Sequence, residues 1–327
     1  MRKVIIGIHG LGNKPPEDLL KKWWRDAMLE GFAAHGIYKE LPTFELIYWA
    51  DIIYVKPLDV YERDVNSQYY LDEPYVKASD LEADETHPFR QKFNDFISDQ
   101  LNKIFLNQDK TLNYSLITDI LLNRYFKDLE LYFRDEDYDN GIASFTIKEK
   151  IRERVAQVIR RYKGYDICIV AHSMGSIIAY DVLSYMIPDI KIKALITIGS
   201  PLGLPVIIGK IAAEQLRVNK VNSYLSTPPG VEWGWVNLSD IKDPVAINYR
   251  LSDDFAKNAN GVYPVDYIVY NNYQINGTKN PHKSFGYLRT KEFSSIIADF
   301  IDIKSLNFVQ RLFKKVKGQI IGKGNSI

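Results

Sequence analysis

Between Asp166 and Asp181 the hydrophobic period of the chain switches from that of a strand to that of a helix within a few residues. Ile167–Val170 is an apolar, largely β-branched run of strand length, and Ser176–Met186 carries apolar residues at helical spacing. The turn between them has Ser173 at its apex, with Ala171 two residues before and Gly175 two residues after. A strand that turns straight into a helix is crowded at that apex, so the positions two residues to either side must be small. In the pattern small-x-Ser-x-small the serine hydroxyl is held out at the end of a sheet, where an attacking serine has to be. The plainer alternative is an ordinary strand-to-helix turn that carries a serine. The rest of the chain must supply a base, an acid and oxyanion donors to decide between them.

The same alternation recurs along most of the 327 residues. Val4–Ile8 reads as a strand, and His9-Gly10-Leu11-Gly12-Asn13 as a glycine-rich loop after it. Pro15-Pro16-Glu17 then opens a helix, since proline fits a first turn and Glu17 and Asp18 suit the positive helix end. Leu20, Trp23, Trp24, Ala27, Met28 and Gly31 continue it at helical spacing, and Gly36 is a stop. Phe44–Ile53 is the second strand. Thr146 caps a helix through Ile151, Val155, Val158, Ile159 and Tyr162 that ends at Gly164. Strands are expected again at Ile192–Ile198, Trp233–Leu238 and Val265–Tyr270, with helices at Pro205–Leu216 and from Thr290 to about Ile303. Such alternation requires an α/β fold, a mostly parallel, doubly wound sheet with helices on both faces.

One stretch breaks the pattern. Residues 55–147 show no strands, and Phe89–Phe105 and Leu116–Phe133 read as amphipathic helices, so an inserted helical lid on a single domain is expected. Many of the 22 Tyr and 15 Phe fall between residues 48 and 145; they either line an acyl pocket or, more plainly, pack the lid onto the body. The tail 304–327 is basic, of a kind that touches anionic membranes but more often is simply solvated. With 42 basic and 41 acidic side chains there is no reason to expect a nucleic-acid partner. No apolar run approaches the roughly 18 residues of a membrane span. The first apolar run stops at Gly7, unlike a secretory signal, and the one cysteine, Cys168, excludes an internal disulfide. A cytoplasmic protein is expected.

Ligands of open parallel sheets sit at the carboxyl ends of the strands. The polar residues that follow each strand are His9, Ser173, Asp240 or Asp243, and His282. Of five histidines, His9 belongs to the glycine loop, His35 to a helix end and His87 to the insertion, while His172 should point away from the apex. His282 alone follows the last strand and is the candidate base for Ser173. Asp243 is the favoured acid because Pro244-Val245 fixes its loop; Asp240, nearer the strand end, is the alternative, and Asp266 lies at the wrong end of its strand. The oxyanion donors would be the N–H groups of Leu11 and Met174. The glycine loop also faintly echoes a dinucleotide fingerprint, but two prolines at the helix start remove N–H groups that a pyrophosphate needs.

These residues resemble the α/β-hydrolase superfamily of serine lipases and esterases, through His9-Gly10-Leu11-Gly12, Ala171-His172-Ser173-Met174-Gly175, Gly199-Ser200-Pro201-Leu202-Gly203, Asp243-Pro244-Val245 and His282. The Gly-Ser-Pro and Trp-Val-Asn…Asp-Pro-Val stretches are similar to lipase-like esterases that include the GPI-inositol-deacylase-like branch. The resemblance covers residues 1–54 and about 146–303 and departs from the pattern at Ala171. It also implies a sheet that lacks the family's usual first two strands. It further implies a metal-independent, cofactor-free hydrolase of acyl or lipid-like esters. An acyltransferase or thioesterase using the same triad is the near alternative, and a non-catalytic binding module the distant one.

Overall fold

The computed structural model describes residues 1–78, 128–133, 146–219, 224–246 and 248–302. The expected helix Phe89–Phe105, most of Leu116–Phe133 and the tail 304–327 lie outside the described residues. In chain order the elements are β1 (Lys3–Ile8), α1 (Glu17–Ala34), β2 (Thr43–Ile47), a helical stretch at 128–133 and α2 (Ile147–Arg161). Then follow β3 (Asp166–His172), α3 (Met174–Asp181), β4 (Ile192–Ile198), α4 (Pro205–Asn219) and β5 (Val231–Ser239). The chain continues with α5 (Leu251–Asp254), β6 (Pro264–Ile268), the hairpin β7 (Gln274–Ile275) and β8 (Thr278–Lys279), α6 (Ser284–Leu288) and α7 (Lys291–Asp302). Among the described residues, no helix is long and apolar enough to cross a membrane.

The six main strands form one sheet in the order β2-β1-β3-β4-β5-β6, every neighbouring pair parallel. Strands buried on both faces need apolar residues at consecutive positions, and Val4-Ile5-Ile6 and Ile167-Cys168-Ile169-Val170 are wholly buried. Alternate residues divide between two cores. Val4, Ile6, Ile8, Ile167, Ile169 and Ala171 pack with α2 and α3 on one face. Ile5, Cys168 and Val170 pack with α1, α6 and α7 on the other. On that second face Gly7 admits α1 closely, since a Cβ there would stand 3.0 Å from the Trp24 ring.

Helix boundaries follow local chemistry. At the start of α2 Thr146 Oγ1 accepts the Glu149 N–H at 3.2 Å and Glu149 Oε2 accepts the Thr146 N–H at 2.8 Å, a capping box. Gly164, at φ 97°, ends the turn after it. The second strand is shorter than expected. It ends at Ile47, because Trp49 N–H leaves the ladder to donate to His9 Nε2 at 3.0 Å, and a 3₁₀ turn over Ala50–Ile52 follows. The elbow helix starts at Met174, earlier than expected, and loosens into a π-turn over Val182–Met186.

This topology creates a crevice. β1 lies between β2 and β3, and the helices that follow β1 and precede β3 pack on opposite faces of the sheet. The register keeps the carboxyl ends level: Ile8 lies opposite both Ile47 and Ala171, and His172 opposite Ile198. The loops after β1, β3 and β4 therefore leave the sheet side by side at its switch point.

Candidate active site

Ser173 sits where β3 becomes α3, at φ 53° and ψ −128°, a backbone conformation that costs a non-glycine residue about 1–3 kcal/mol. The strain persists because the surroundings leave no other path. A Cβ on Gly175 would stand 2.5 Å from the Ile8 carbonyl oxygen, and one on Gly10 would stand 2.7 Å from the Ser173 Cβ. The small residues of the elbow and of the glycine loop are thus needed where α3 and the first loop press together. From beneath, Ser176 Oγ donates to the Ser173 carbonyl at 2.5 Å and lies 2.7 Å from Ser200 Oγ, in the loop after β4.

His282 reaches the serine from the loop between β8 and α6. Its Nε2 lies 3.0 Å from Ser173 Oγ, and its Nδ1 lies 3.0 and 2.9 Å from the two oxygens of Asp243. A carboxylate only accepts hydrogen bonds, so the ring proton sits on Nδ1 and the Nε2 lone pair faces the serine. All three side chains are buried. Gly199, at φ 53°, makes room for them: a Cβ there would stand 2.8 Å from Asp243 Oδ2 and 3.2 Å from His282 Nδ1.

The choice between the two aspartates is geometric. Asp243 Oδ1 accepts the Val245 N–H at 2.9 Å and its Oδ2 accepts the Tyr287 hydroxyl at 2.7 Å, so its charge is met by three donors including His282. Asp240 is turned elsewhere, its oxygens accepting the N–H groups of Lys242 and Asn271, each at 2.7 Å. Asp266, in the middle of β6, accepts from Asn237 and from the Leu251 and Ser252 amides. His9 holds the first loop: its Nδ1–H donates to the Gly10 carbonyl at 2.8 Å and its ring stacks on Trp49. Burial, with Lys14 nearby, pushes the His9 imidazole well below its ordinary range, so it stays neutral. Leu11 lines a cavity of about 430 Å³ shared with Ser173 and His282. Met174 opens α3, and a first-turn amide has no acceptor within its own helix.

His172 contradicts the expectation that it turns from the site. Strand alternation puts it on the face of Cys168 and Val170, from which the His282 loop also arrives. Its ring lies 4.8 Å from that of His282, and its Nε2–H donates to the His282 carbonyl at 2.7 Å. Burial first, and then His282, push the His172 imidazole well below its ordinary range, so it is a neutral support. Asn271 completes that support by donating to the carbonyls of Pro281 and Lys283, each at 2.8 Å. Three consecutive carbonyls around His282 are thus held by side chains.

Tyr287 joins the two aspartate loops, since its hydroxyl donates to Asp243 and accepts the Asp240 N–H at 2.9 Å. Burial and Asp243 push its phenol well above the ordinary range and keep it a donor. Tyr287→Phe leaves a buried amide and a carboxylate oxygen each short of a partner, and is expected to cost about 1–3 kcal/mol in urea unfolding. A change below about 0.5 kcal/mol contradicts that role.

No family model matches the chain, and no curated protein matches it.

Proposed function

We propose that the protein is a serine hydrolase of the α/β-hydrolase type that cleaves carboxylic esters through an acyl-enzyme. One observation carries the reading: an unbroken relay from Ser173 Oγ through His282 to Asp243, built on a serine held at positive φ. As Ser173 Oγ bonds to the ester carbonyl carbon, its proton passes to His282 Nε2, and Asp243 stabilises the imidazolium. The oxygen that becomes negative is met by the N–H groups of Leu11 and Met174. Collapse expels the alcohol, which takes the proton from Nε2. Water, deprotonated by His282, then attacks the acyl carbon, and the acid leaves as Ser173 regains its proton.

The cavity supports ester substrates with an apolar portion, because Leu20, Trp23, Trp24 and Phe285 line it beside the relay. Its volume of about 430 Å³ lies within the range of small-molecule sites. An acyl or lipid-like ester is the proposed class, in keeping with the resemblance to lipases and the GPI-inositol-deacylase-like branch. The protein is proposed to be cytoplasmic, where the one cysteine, buried and with its thiol pushed far up by burial, stays reduced and inert.

A fluorophosphonate probe tests the reading. Wild type is expected to label at Ser173 and Ser173→Ala not at all; an unlabelled wild type, or equal labelling of the variant, overturns it.

A further inference from the structure

The loop proposed to hold the oxyanion is gripped by two charged side chains, one of them from the inserted stretch. Gly12 N–H donates to Asp128 Oδ2 at 2.7 Å, while Lys14 Nζ donates to the Leu11 carbonyl and, at 3.0 Å, to the Gly12 carbonyl. The Leu11 carbonyl and the Gly12 amide are the two ends of one planar trans peptide and point opposite ways. A cation on one end and an anion on the other fix that plane against rotation. Gly12, at φ 82°, would otherwise leave this stretch of the loop free to turn about its backbone bonds. Unless such turning were a fully compensated flip, it would carry the adjoining Gly10–Leu11 peptide, and with it the Leu11 amide, out of place.

Asp128 is wholly buried, and the Tyr54 hydroxyl donates to its other oxygen at 2.6 Å. One helical turn later, Tyr132 donates to Asp181 at 2.7 Å, at the end of the helix that begins beside Ser173. Arg152 of α2 binds both Tyr132 and Asp181. The stretch 128–133 is therefore tied at one end to the glycine loop and at the other to α3, the two proposed sources of oxyanion donors.

We propose that Lys14 and Asp128 are positioning residues of the oxyanion hole, so that residues 128–133 are a working part of the site. The inference rests on the hydrolase reading. Oxyanion donors act only when preorganised, and half an ångström of slack is enough to weaken them. Lys14 also faces Lys283, Asp72 and Glu73, together with the neutral His9 and His172. Burial, and next Lys283, lower its ammonium to about 7. As pH rises through that value the charge is lost and the grip on the peptide weakens, so turnover falls on the alkaline side.

The test is turnover of p-nitrophenyl butyrate by the full chain from pH 6 to 9, expressed per site titrated with a fluorophosphonate. Lys14→Met and Asp128→Ala are each expected to lower kcat about 10- to 100-fold, with KM within about threefold, somewhat less than outright loss of a donor. Asp128→Asn, which still accepts from Gly12, is expected to keep most of the rate, and Lys14→Met to lose the alkaline fall. A merely structural role would lower the melting temperature and the titrated fraction but leave kcat per site intact. If both Lys14→Met and Asp128→Ala stay within about twofold of wild type, the inference fails while the hydrolase reading stands. A wild type that neither labels nor turns over removes the hydrolase reading, and this inference with it.

Discussion

His282→Ala is expected to lower kcat on a p-nitrophenyl ester by about a millionfold, and adding Ser173→Ala is expected to cost almost nothing more. Nucleophile and base act as one unit, so removing either forfeits nearly the whole relay contribution. Under the proposed hydrolase function, what survives is substrate binding and oxyanion stabilisation, worth about a thousandfold over water. The variant is informative because the loop should outlast the loss of its side chain. The hydrogen bonds that hold it run from His172 and Asn271 to the backbone carbonyls of Pro281, His282 and Lys283, which an alanine retains. An unchanged far-ultraviolet spectrum and melting temperature would accompany the lost rate. Retention of more than about one part in a thousand of wild-type kcat overturns the assignment of His282 as base, and strict additivity of the two losses overturns their coupling.

Each element is legible in the sequence to the extent that its signal is local. The strands were legible because a parallel sheet buries both faces and so writes itself as apolar runs, as in Val4-Ile5-Ile6 and Ile167–Val170. The elbow was legible because Gly175 must be small where α3 meets the end of β1. The meeting of His282 with Ser173 was legible by position, since it is the histidine after the last strand of the main sheet. The end of β2 is not written locally, because the amide that ends it bonds to His9, some forty residues away. The place of His172 against His282 is hidden from the sequence for a similar reason. Its face of β3 follows from alternation, but the face from which the His282 loop arrives is a tertiary fact. Tyr287, Asn271 and Asp128 left no sequence signal, since each is an ordinary helix or loop residue until the fold sets it against Asp243, Pro281 or Gly12.

The two aspartates show the same limit, and a paired substitution turns it into a measurement. Asp243→Asn is expected to lower kcat about ten-thousandfold at neutral pH with little change in KM. The introduced amide accepts at one end and donates at the other. Val245 N–H donates to the Oδ1 position and holds the amide oxygen there, which leaves the amide nitrogen at the Oδ2 position beside His282 Nδ1. The Tyr287 hydroxyl, already an acceptor for the Asp240 amide, can turn to accept there as well. His282 Nδ1 then becomes an acceptor, the ring proton moves to Nε2, and no lone pair faces Ser173. Asp240→Asn acts differently, because both of its oxygens accept backbone N–H groups and neither is bonded to His282. There the amide nitrogen meets a buried N–H, which is expected to cost about 1–3 kcal/mol of stability in urea unfolding. Turnover per titrated site should fall by about tenfold at most, the equivalent of about 1.4 kcal/mol. A larger loss from Asp240→Asn than from Asp243→Asn would reassign the acid. It would also require the Lys242–Ala246 turn to rearrange around bound ester, because the carboxylate that contacts the imidazole would then no longer be the one that orients it.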